Sequence, residues 1–406
     1  MSGKIFRIEE LDLHGKRVFI RVDFNVPLKP SSAEGGFEVA ENARIVGALA
    51  TLRFAIDKGA KCILASHLGR PKGKVNPKYS LEPVGSRLSE LLQKDVLLAD
   101  DSVGDGPKAL CQQMRPGDVL LLENLRFHAL EEENSTEFAH RLSELCDVYV
   151  SDAFGTLHRA HASTYALPKL AAQKGIGFLI QQELKFLTPL RDNPKRPFLL
   201  VMGGAKVSDK LGVMEHFMPK VDKMVIGGAM AYAFLKAQGR EIGKSLCDES
   251  QVHLAAKIIG AAEARNVVIL LPTDHIVACS PEDSTKAAAT EGPDVPAEKM
   301  GLDIGPRTLA FYRPAFQEAE TIFWNGPMGV FENPSFAQGT FGVARLIAES
   351  KALKIAGGGD SAAAISQCGY EKQFDFVSTG GGATLEFLEG KELPGLKVLE
   401  VLSRSS

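Results

Sequence analysis

The sequence predicts an α/β protein of two domains, each a parallel β-sheet flanked by helices. Short β-rich apolar runs alternate with helix-like stretches along the chain, and that alternation implies parallel sheets covered by helices. The chain has 406 residues, too many for one ordinary core, so two domains of about 200 residues each are expected. The ends of the apolar runs carry two chemistries, divided by sequence half. Ligands of open parallel sheets bind at the carboxyl ends of the strands, which makes those ends the place to look.

In the first half the runs GKRVFIRV, AKCILASH, DVLLA, DVLLLEN and DVYVSD read as strands. Their near-continuous apolar character suits strands buried on both faces. Between them ARIVGALATLRFAIDKG, LEPVGSRLSELLQK and STEFAHRLSELC read as helices, the last capped by Ser135 or Thr136. LKPSSAEGGFEV (28–39) is a polar loop or hairpin. Residues 168–192 contain a helical segment that ends near Pro189, Pro194 and Pro197, and this is the expected connector. The second half restarts at RPFLLVMGG and alternates to about residue 390. The resulting division is 1–170, a connecting helix at 171–192, and 193–392, with 393–406 returning to the first domain.

Bulk properties narrow the function classes. The apolar fraction is 45% and the charged fraction 24%, both ordinary for a globular protein. A net charge of -3 argues against a general nucleic-acid or membrane-surface role. The N-terminus lacks the apolar core of a secretory signal, and no run approaches the roughly 18 apolar residues that span a bilayer. Six scattered cysteines without a CxxC pair fit reduced, mostly buried thiols in a cytoplasmic protein.

In the second half the strands empty into glycine, at Gly203-Gly204, Gly227-Gly228, Gly326, Gly329, Gly357 to Gly359 and Gly380 to Gly382. Glycine permits positive φ and removes the side chain that would block a phosphate. A helix starting after such a turn directs free N–H groups at the anion. Five such ends in one half favour a phosphate-bearing ligand over plain tight turns. GGAKVSDK does not match the Walker pattern, and GxGxxG is absent. Asp360 would suit Mg²⁺ beside phosphates, or else serves as a helix N-cap. Lys206 is placed to reach a transferring phosphoryl group, or is an exposed loop lysine, and Lys210, four residues on, is spaced to share a helix face with it.

The first-half strands end in bases instead. Arg21, Arg44, His67, Arg70, Arg126 and Arg159 lie at or just past strand ends. Arginine's planar fork suits carboxylate and phosphate, and several arginines at one sheet edge repel one another unless an anion binds among them. Asp23 and Asn25 add partners for hydroxyl or water. The implied ligand is small, multiply anionic and hydroxylated. His158 and His161 are spaced to share a helix face, though supporting the arginines is the better reading.

RVDFNVP (21–27), SHLGRP (66–71), LLENLRFH (121–128), DAFGTLHRAH (152–161), GGAKVSDKL (203–211), WNGPMGVFE (324–332), GGGDSAAAI (357–365) and STGGGATLEFLEG (378–390) resemble phosphoglycerate kinases, in family order across nearly the whole chain. The likeness is to a bacterial, single-polypeptide form. It implies two Rossmann-like domains facing across a cleft, with the C-terminal tail returning to the first. It implies that Asp23, Asn25, Arg44, His67, Arg70, Arg126 and Arg159 bind phosphoglycerate. Gly203, Lys206, Lys210, Gly228, Glu332, Gly357, Gly358, Gly359, Asp360 and Ser361 match nucleotide positions, with Glu332 at the ribose and Asp360 at Mg²⁺. The implied reaction is reversible phosphoryl transfer from 1,3-bisphosphoglycerate to ADP, giving 3-phosphoglycerate and ATP. Arg44, Lys206, Gly359 and Gly382 are the expected catalytic contacts. Closure of the two domains and a monomeric state are expected as well. Two departures stand out: the loop at 30–38 is longer than usual, and LLPTDH (270–275) matches only approximately. The alternatives are a non-catalytic two-domain binding relative and an NAD-dependent dehydrogenase, which the missing GxGxxG disfavours.

Overall fold

The structure, a computed structural model, describes residues 3–31, 36–283 and 287–401. It divides into two compact units, one made of the described residues of Met1–Lys185 and Glu392–Ser406, the other of Phe186–Lys391. The division falls inside the helix Phe178–Asp192.

The first unit is built on β1 (Arg17–Val22), β4 (Lys61–Ala65), β5 (Val96–Leu98), β6 (Val119–Leu121), β7 (Val148–Asp152) and β8 (Gln173–Ile176), in the order β5-β6-β4-β1-β7-β8. Every neighbouring pair is parallel, so all six carboxyl ends lie on one edge. A hairpin of β2 (Leu28–Pro30) and β3 (Phe37–Val39) precedes the helix Ala43–Asp57. It is the hairpin expected at 28–39, although residues 32–35 lie outside the described residues. Alternate residues of β1 bury on opposite faces. Val18, Ile20 and Val22 join the core of Ile45, Leu52, Leu64 and Leu88, whereas Phe19 stacks on Tyr149, ring centroids 6.1 Å apart. Arg21 therefore shares the Phe19 face.

The second unit has β9 (Phe198–Met202), β10 (Lys223–Ile226), β11 (Val268–Leu270), β15 (Thr321–Asn325), β16 (Leu353–Gly357) and β17 (Phe376–Ser378), in the order β11-β10-β9-β15-β16-β17. These pairs too are all parallel. Leu199, Val201, Ile322 and Trp324 form its core with Tyr312, Val343 and Ile365 from the covering helices. A small antiparallel sheet, β13-β12-β14, is formed by β12 (His275–Ala278), β13 (Ala288–Ala289) and β14 (Met300–Ile304).

Three expectations need correction. β5 is an edge strand rather than one buried on both faces, with Leu97 44% exposed. β8 lies within the stretch read only as a helical connector. Two of the six free cysteines, Cys62 and Cys111, are buried, so the thiols are not mostly buried. Ser135 is the cap of the helix Thr136–Ser143 and accepts from the Phe138 N–H at 3.3 Å. Among the described residues no helix is long and apolar enough to cross a membrane.

Candidate functional site

In the first unit β6, β4, β1 and β7 are consecutive in the sheet. Their carboxyl ends deliver Arg126, His67, Arg21 with Asp23, and Arg159 to the same edge. The loops there are held by buried amides and hydroxyls. Ser66 Oγ accepts from the Phe24 N–H at 2.8 Å. Asn124 Oδ1 accepts from the N–H groups of Leu68 and Arg126, while its Nδ2 donates to the Leu68 and Tyr79 carbonyls. Asn25 spends its Oδ1 on the Gly69 N–H at 2.9 Å.

The charged groups are oriented on this frame. Arg44, in the first turn of the helix Ala43–Asp57, donates one Nη to both oxygens of Asp23 at 3.0 Å. Arg126 is buried and donates to the Gly69 carbonyl at 2.9 Å. Its Nε lies 3.3 Å from Glu132 Oε1, yet out of line for a hydrogen bond, and so is a buried donor without an acceptor. Burial first, then Arg21, Arg126, Arg44 and His161, hold the His67 imidazole well below its usual pKa. The same combination of burial with Arg126, Arg21 and Arg159 lowers His161 to about 4. Both histidines are therefore neutral near pH 7. Arg159 is exposed and donates to His158 Nε2 at 3.1 Å. No helix carries His158 together with His161. Arg70, also exposed, makes no hydrogen bond or ion pair among the described residues.

In the second unit five consecutive strands, β10-β9-β15-β16-β17, end in the glycine turns. The glycines divide into two kinds. A Cβ on Gly203 would collide with the Pro327 carbonyl, one on Gly228 (φ +65°) would come 2.6 Å from Gly204, and one on Gly326 (φ +95°) would strike the Gly203 carbonyl. These three let strand-end loops touch. Gly359 and Gly381, by contrast, have no atom within 4 Å of the Cβ position.

Lys206 is exposed, and the turn Val207–Asp209 separates it from Lys210, so the two do not share a helix face. Lys210 Nζ is hydrogen-bonded to Asn325 Oδ1, and Asn325 Nδ2 donates to the Gly357 carbonyl at 2.5 Å. Burial lowers the Lys210 pKa, opposed by Asp209 and Asp360. The cap of the helix Gly359–Cys368 is Gly358 (φ +97°), with Asp360 exposed in the first turn. Asp360 is thus not the N-cap. Ser361 is fully buried, and its Oγ accepts from the Gly326 N–H at 2.8 Å, tying two glycine turns together.

Gly204, Gly228, Glu332 and Asp360 line one cavity of about 290 Å³, with Leu246, Met300, Leu302 and Val330 as apolar wall. Tyr232 also lines it, its O–H bonded to His275 Nδ1 at 3.2 Å, and His275 Nε2 donates to the Pro293 carbonyl at 3.0 Å. The sequence motifs assign no role to Tyr232, Asn124, Asn325 or the Arg21 side-chain contacts. Asn325 and Asn124 carried a signal, a polar residue directly at or after an apolar run. Tyr232, inside AYAFL, carried none.

One chemical class fits each arrangement, a compact anion at the bases and a phosphate-bearing ligand with an apolar moiety at the glycines. The phosphoglycerate kinase family model matches residues 8–391. The chain is 54% identical over 395 residues to the phosphoglycerate kinase of Anaeromyxobacter sp. (strain Fw109-5), covering 97% of this chain and 98% of that protein. It is 48% identical over 397 residues to that of Bdellovibrio bacteriovorus, covering 98% of each. Among solved structures, phosphoglycerate kinase from Coxiella burnetii superposes with a TM-score of 0.86 at 42% identity, covering 98% of this chain and 99% of that one. That from Pyrococcus horikoshii OT3 gives 0.84 at 32% identity, covering 97% and 98%.

Proposed function

The chain belongs to the phosphoglycerate kinase family, and on that premise we propose that its basic strand ends hold phosphoglycerate and its glycine strand ends hold the nucleotide. The reaction is phosphoryl transfer to and from the carboxyl group of phosphoglycerate, a step of glycolysis. A small-molecule acid and a nucleotide are its substrates.

The attacking group is a carboxylate in one direction and an ionised phosphate in the other. Neither needs deprotonation near neutral pH, so no general base is required. Catalysis then reduces to positioning and to neutralising charge on the phosphoryl oxygens. The observation that carries the assignment is the convergence of four basic strand ends on one sheet edge, with a buried Arg126 Nε lacking an acceptor. An anion there would offset the mutual repulsion of the arginines, which together with burial holds both histidines neutral.

Arg126, His67, Arg159 and Arg70 would bind the acid's anionic groups, and Asn25 Nδ2, Asp23 and the Asp23-held Arg44 its hydroxyl and the transferred group. Lys206, Lys210 and the N–H groups of Gly358, Gly359 and Gly382 would face the nucleotide phosphates, with Gly203, Gly228 and Gly357 giving backbone access and Glu332 the ribose. Ser361 contributes by holding Gly326. Asp360 presents an exposed carboxylate on the cavity wall. One carboxylate plus substrate phosphates is the usual protein share of a Mg²⁺ site, so the residue fits that ion. When bound with the nucleotide, Mg²⁺ would neutralise phosphate charge. A monomer working in the cytoplasm, without nucleic-acid partners, completes the proposal.

A coupled assay of ATP formation tests it. Lys206→Ala should lower turnover about 10²–10³-fold, the loss typical of removing one transition-state donor, with both KM values nearly unchanged. Turnover equal to wild type would refute the role of Lys206.

A further inference from the structure

Beneath the basic edge of the first unit lies a chain of buried polar groups that the phosphoryl transfer itself does not use. Glu131 is 0% exposed and lies in a short helix, Ala129–Glu132, directly after the Arg126 turn. Its Oε2 accepts from the Ser163 N–H at 2.9 Å and its Oε1 from the Ser163 hydroxyl at 2.6 Å. The same Ser163 Oγ accepts from Arg21 Nε at 2.9 Å. Arg21 is 1% exposed; one Nη reaches the Val22 carbonyl and the other lies 3.2 Å from His67 Nδ1.

Donor chemistry fixes the direction of each bond. A guanidinium has no acceptor, so Arg21 must donate both to Ser163 Oγ and to His67 Nδ1. Ser163, having accepted, sends its one O–H to Glu131. Both Glu131 oxygens then face donors, which suits the carboxylate form although burial raises its pKa. His67 Nδ1, an acceptor, leaves the ring proton of the neutral imidazole on Nε2. Arg21, Arg126, Arg44 and His161 surround that ring and oppose a second proton.

We propose that Glu131 is a positioning residue for the phosphoglycerate site, acting through Ser163 and Arg21 to fix His67 as an Nε2–H hydrogen-bond donor. The proposal rests on the reading that the basic edge binds phosphoglycerate. Glu131 compensates the buried Arg21 charge, Arg21 orients the imidazole, and His67 offers the ligand a hydrogen bond without a pH-dependent charge. The neighbouring carboxylate has a different place: Glu132 lies by Arg126.

Long-range ¹H–¹⁵N NMR of the ligand-free wild type, assigned with His67→Gln, reads the relay directly. His67 should remain the Nε2–H tautomer from about pH 6 to about pH 8, across the usual imidazole titration; an Nδ1–H tautomer or a titrating ring overturns the proposal. In steady-state kinetics Ser163→Ala and Glu131→Gln should raise KM for 3-phosphoglycerate by about tenfold, the lower end for loss of a supporting hydrogen bond. KM for ATP should stay within about twofold. The freed Nδ1 should also give KM for the acid a new dependence between about pH 5 and pH 7. An unchanged KM with a flat pH profile in both variants overturns the proposal, and the wild-type spectrum decides the matter where a variant does not fold. If instead Arg126→Ala leaves KM for 3-phosphoglycerate unchanged, the binding assignment fails while the tautomer measurement still stands by itself.

Discussion

Glycines that look alike in the sequence separate at the residue scale into those that pack and those that open. Gly203 sits against the Pro327 carbonyl with no room for a methyl group. Gly203→Ala is expected to cost about 1–3 kcal/mol, the range for an overpacked site, and to raise the nucleotide KM by spreading the β9 and β15 loops. Gly260 is the contrast. It lies inside the helix Glu249–Glu263 with nothing within 4 Å of its Cβ position. Gly260→Ala should stabilise the protein by about 0.5–1 kcal/mol, the backbone-entropy and propensity gain of a helical alanine. Chemical denaturation measures both, and a Gly203→Ala protein as stable as wild type would show that the loops do not touch as described. The motifs marked every one of the glycine turns, because a run of glycine after an apolar strand is visible locally. What each glycine does depends on atoms far along the chain, here more than a hundred residues away. The same holds for Glu131, Ser163 and Asn124. A buried polar side chain is defined by its partner, and Ser163 lies 142 residues from the arginine it holds.

At the scale of elements the apolar parallel strands were legible, down to the three-residue Val96–Leu98 and Val119–Leu121, and the polar or alanine-only pieces were not. Five-residue apolar runs such as Phe198–Met202 and Thr321–Asn325 are buried at every position, and that composition is read without tertiary knowledge. Ala288–Ala289 and Gln173–Ile176 are too short or too polar to show a period, and only their neighbours make them strands. One element end also carries a titration. Asp152, the last residue of β7, turns Oδ1 to the N–H groups of Leu179 and Ile180, at the start of the helix Phe178–Asp192. Thr51 Oγ1 takes the Phe178 N–H at 2.8 Å. Asp152 Oδ2 is buried without a partner, and burial, against hydrogen bonds from Thr51, Ile180 and Leu179, pushes the carboxyl from 3.8 up to about 7. The folded state therefore keeps a proton that the unfolded chain releases above 3.8. Raising the pH through that window favours unfolding, and the contribution is spent above about 7. Asp152→Asn carries the same acceptor and no charge, so its stability should decline less than that of wild type across this window. Denaturant midpoints at a series of pH values test this, and identical slopes would rule Asp152 out as the titrating group.

For the whole molecule, the chain leaves its first unit and comes back to it. After the second unit ends at Lys391, Leu393 and Leu399 are buried again, and Gly395 donates its N–H to the Leu157 carbonyl at 2.9 Å. Lys4 and Val401 exchange backbone hydrogen bonds of 3.0 and 2.8 Å. The expected return of 393–406 extends to residues 402–406, which lie outside the described residues. This closing segment was legible as a short apolar stretch expected to return to the first domain; its exact docking place depends on Leu157 and on the first residues of the chain, which no local pattern relates to it. Two buried leucines and three backbone hydrogen bonds make it part of the first unit's core, not a tail laid on the surface. Leu399→Ala should cost about 2–5 kcal/mol, as for a leucine removed from a packed interior. The loss should fall on the unit that holds the bases. Phosphoglycerate should therefore recover stability in Leu399→Ala, since a ligand that binds only the folded unit stabilises it by mass action. The nucleotide's affinity, read from the fluorescence of Trp324 at the glycine junction where its indole donates to the Gly326 carbonyl at 2.8 Å, should match wild type. A nucleotide affinity that falls together with the stability would mean that the segment supports the second unit as well.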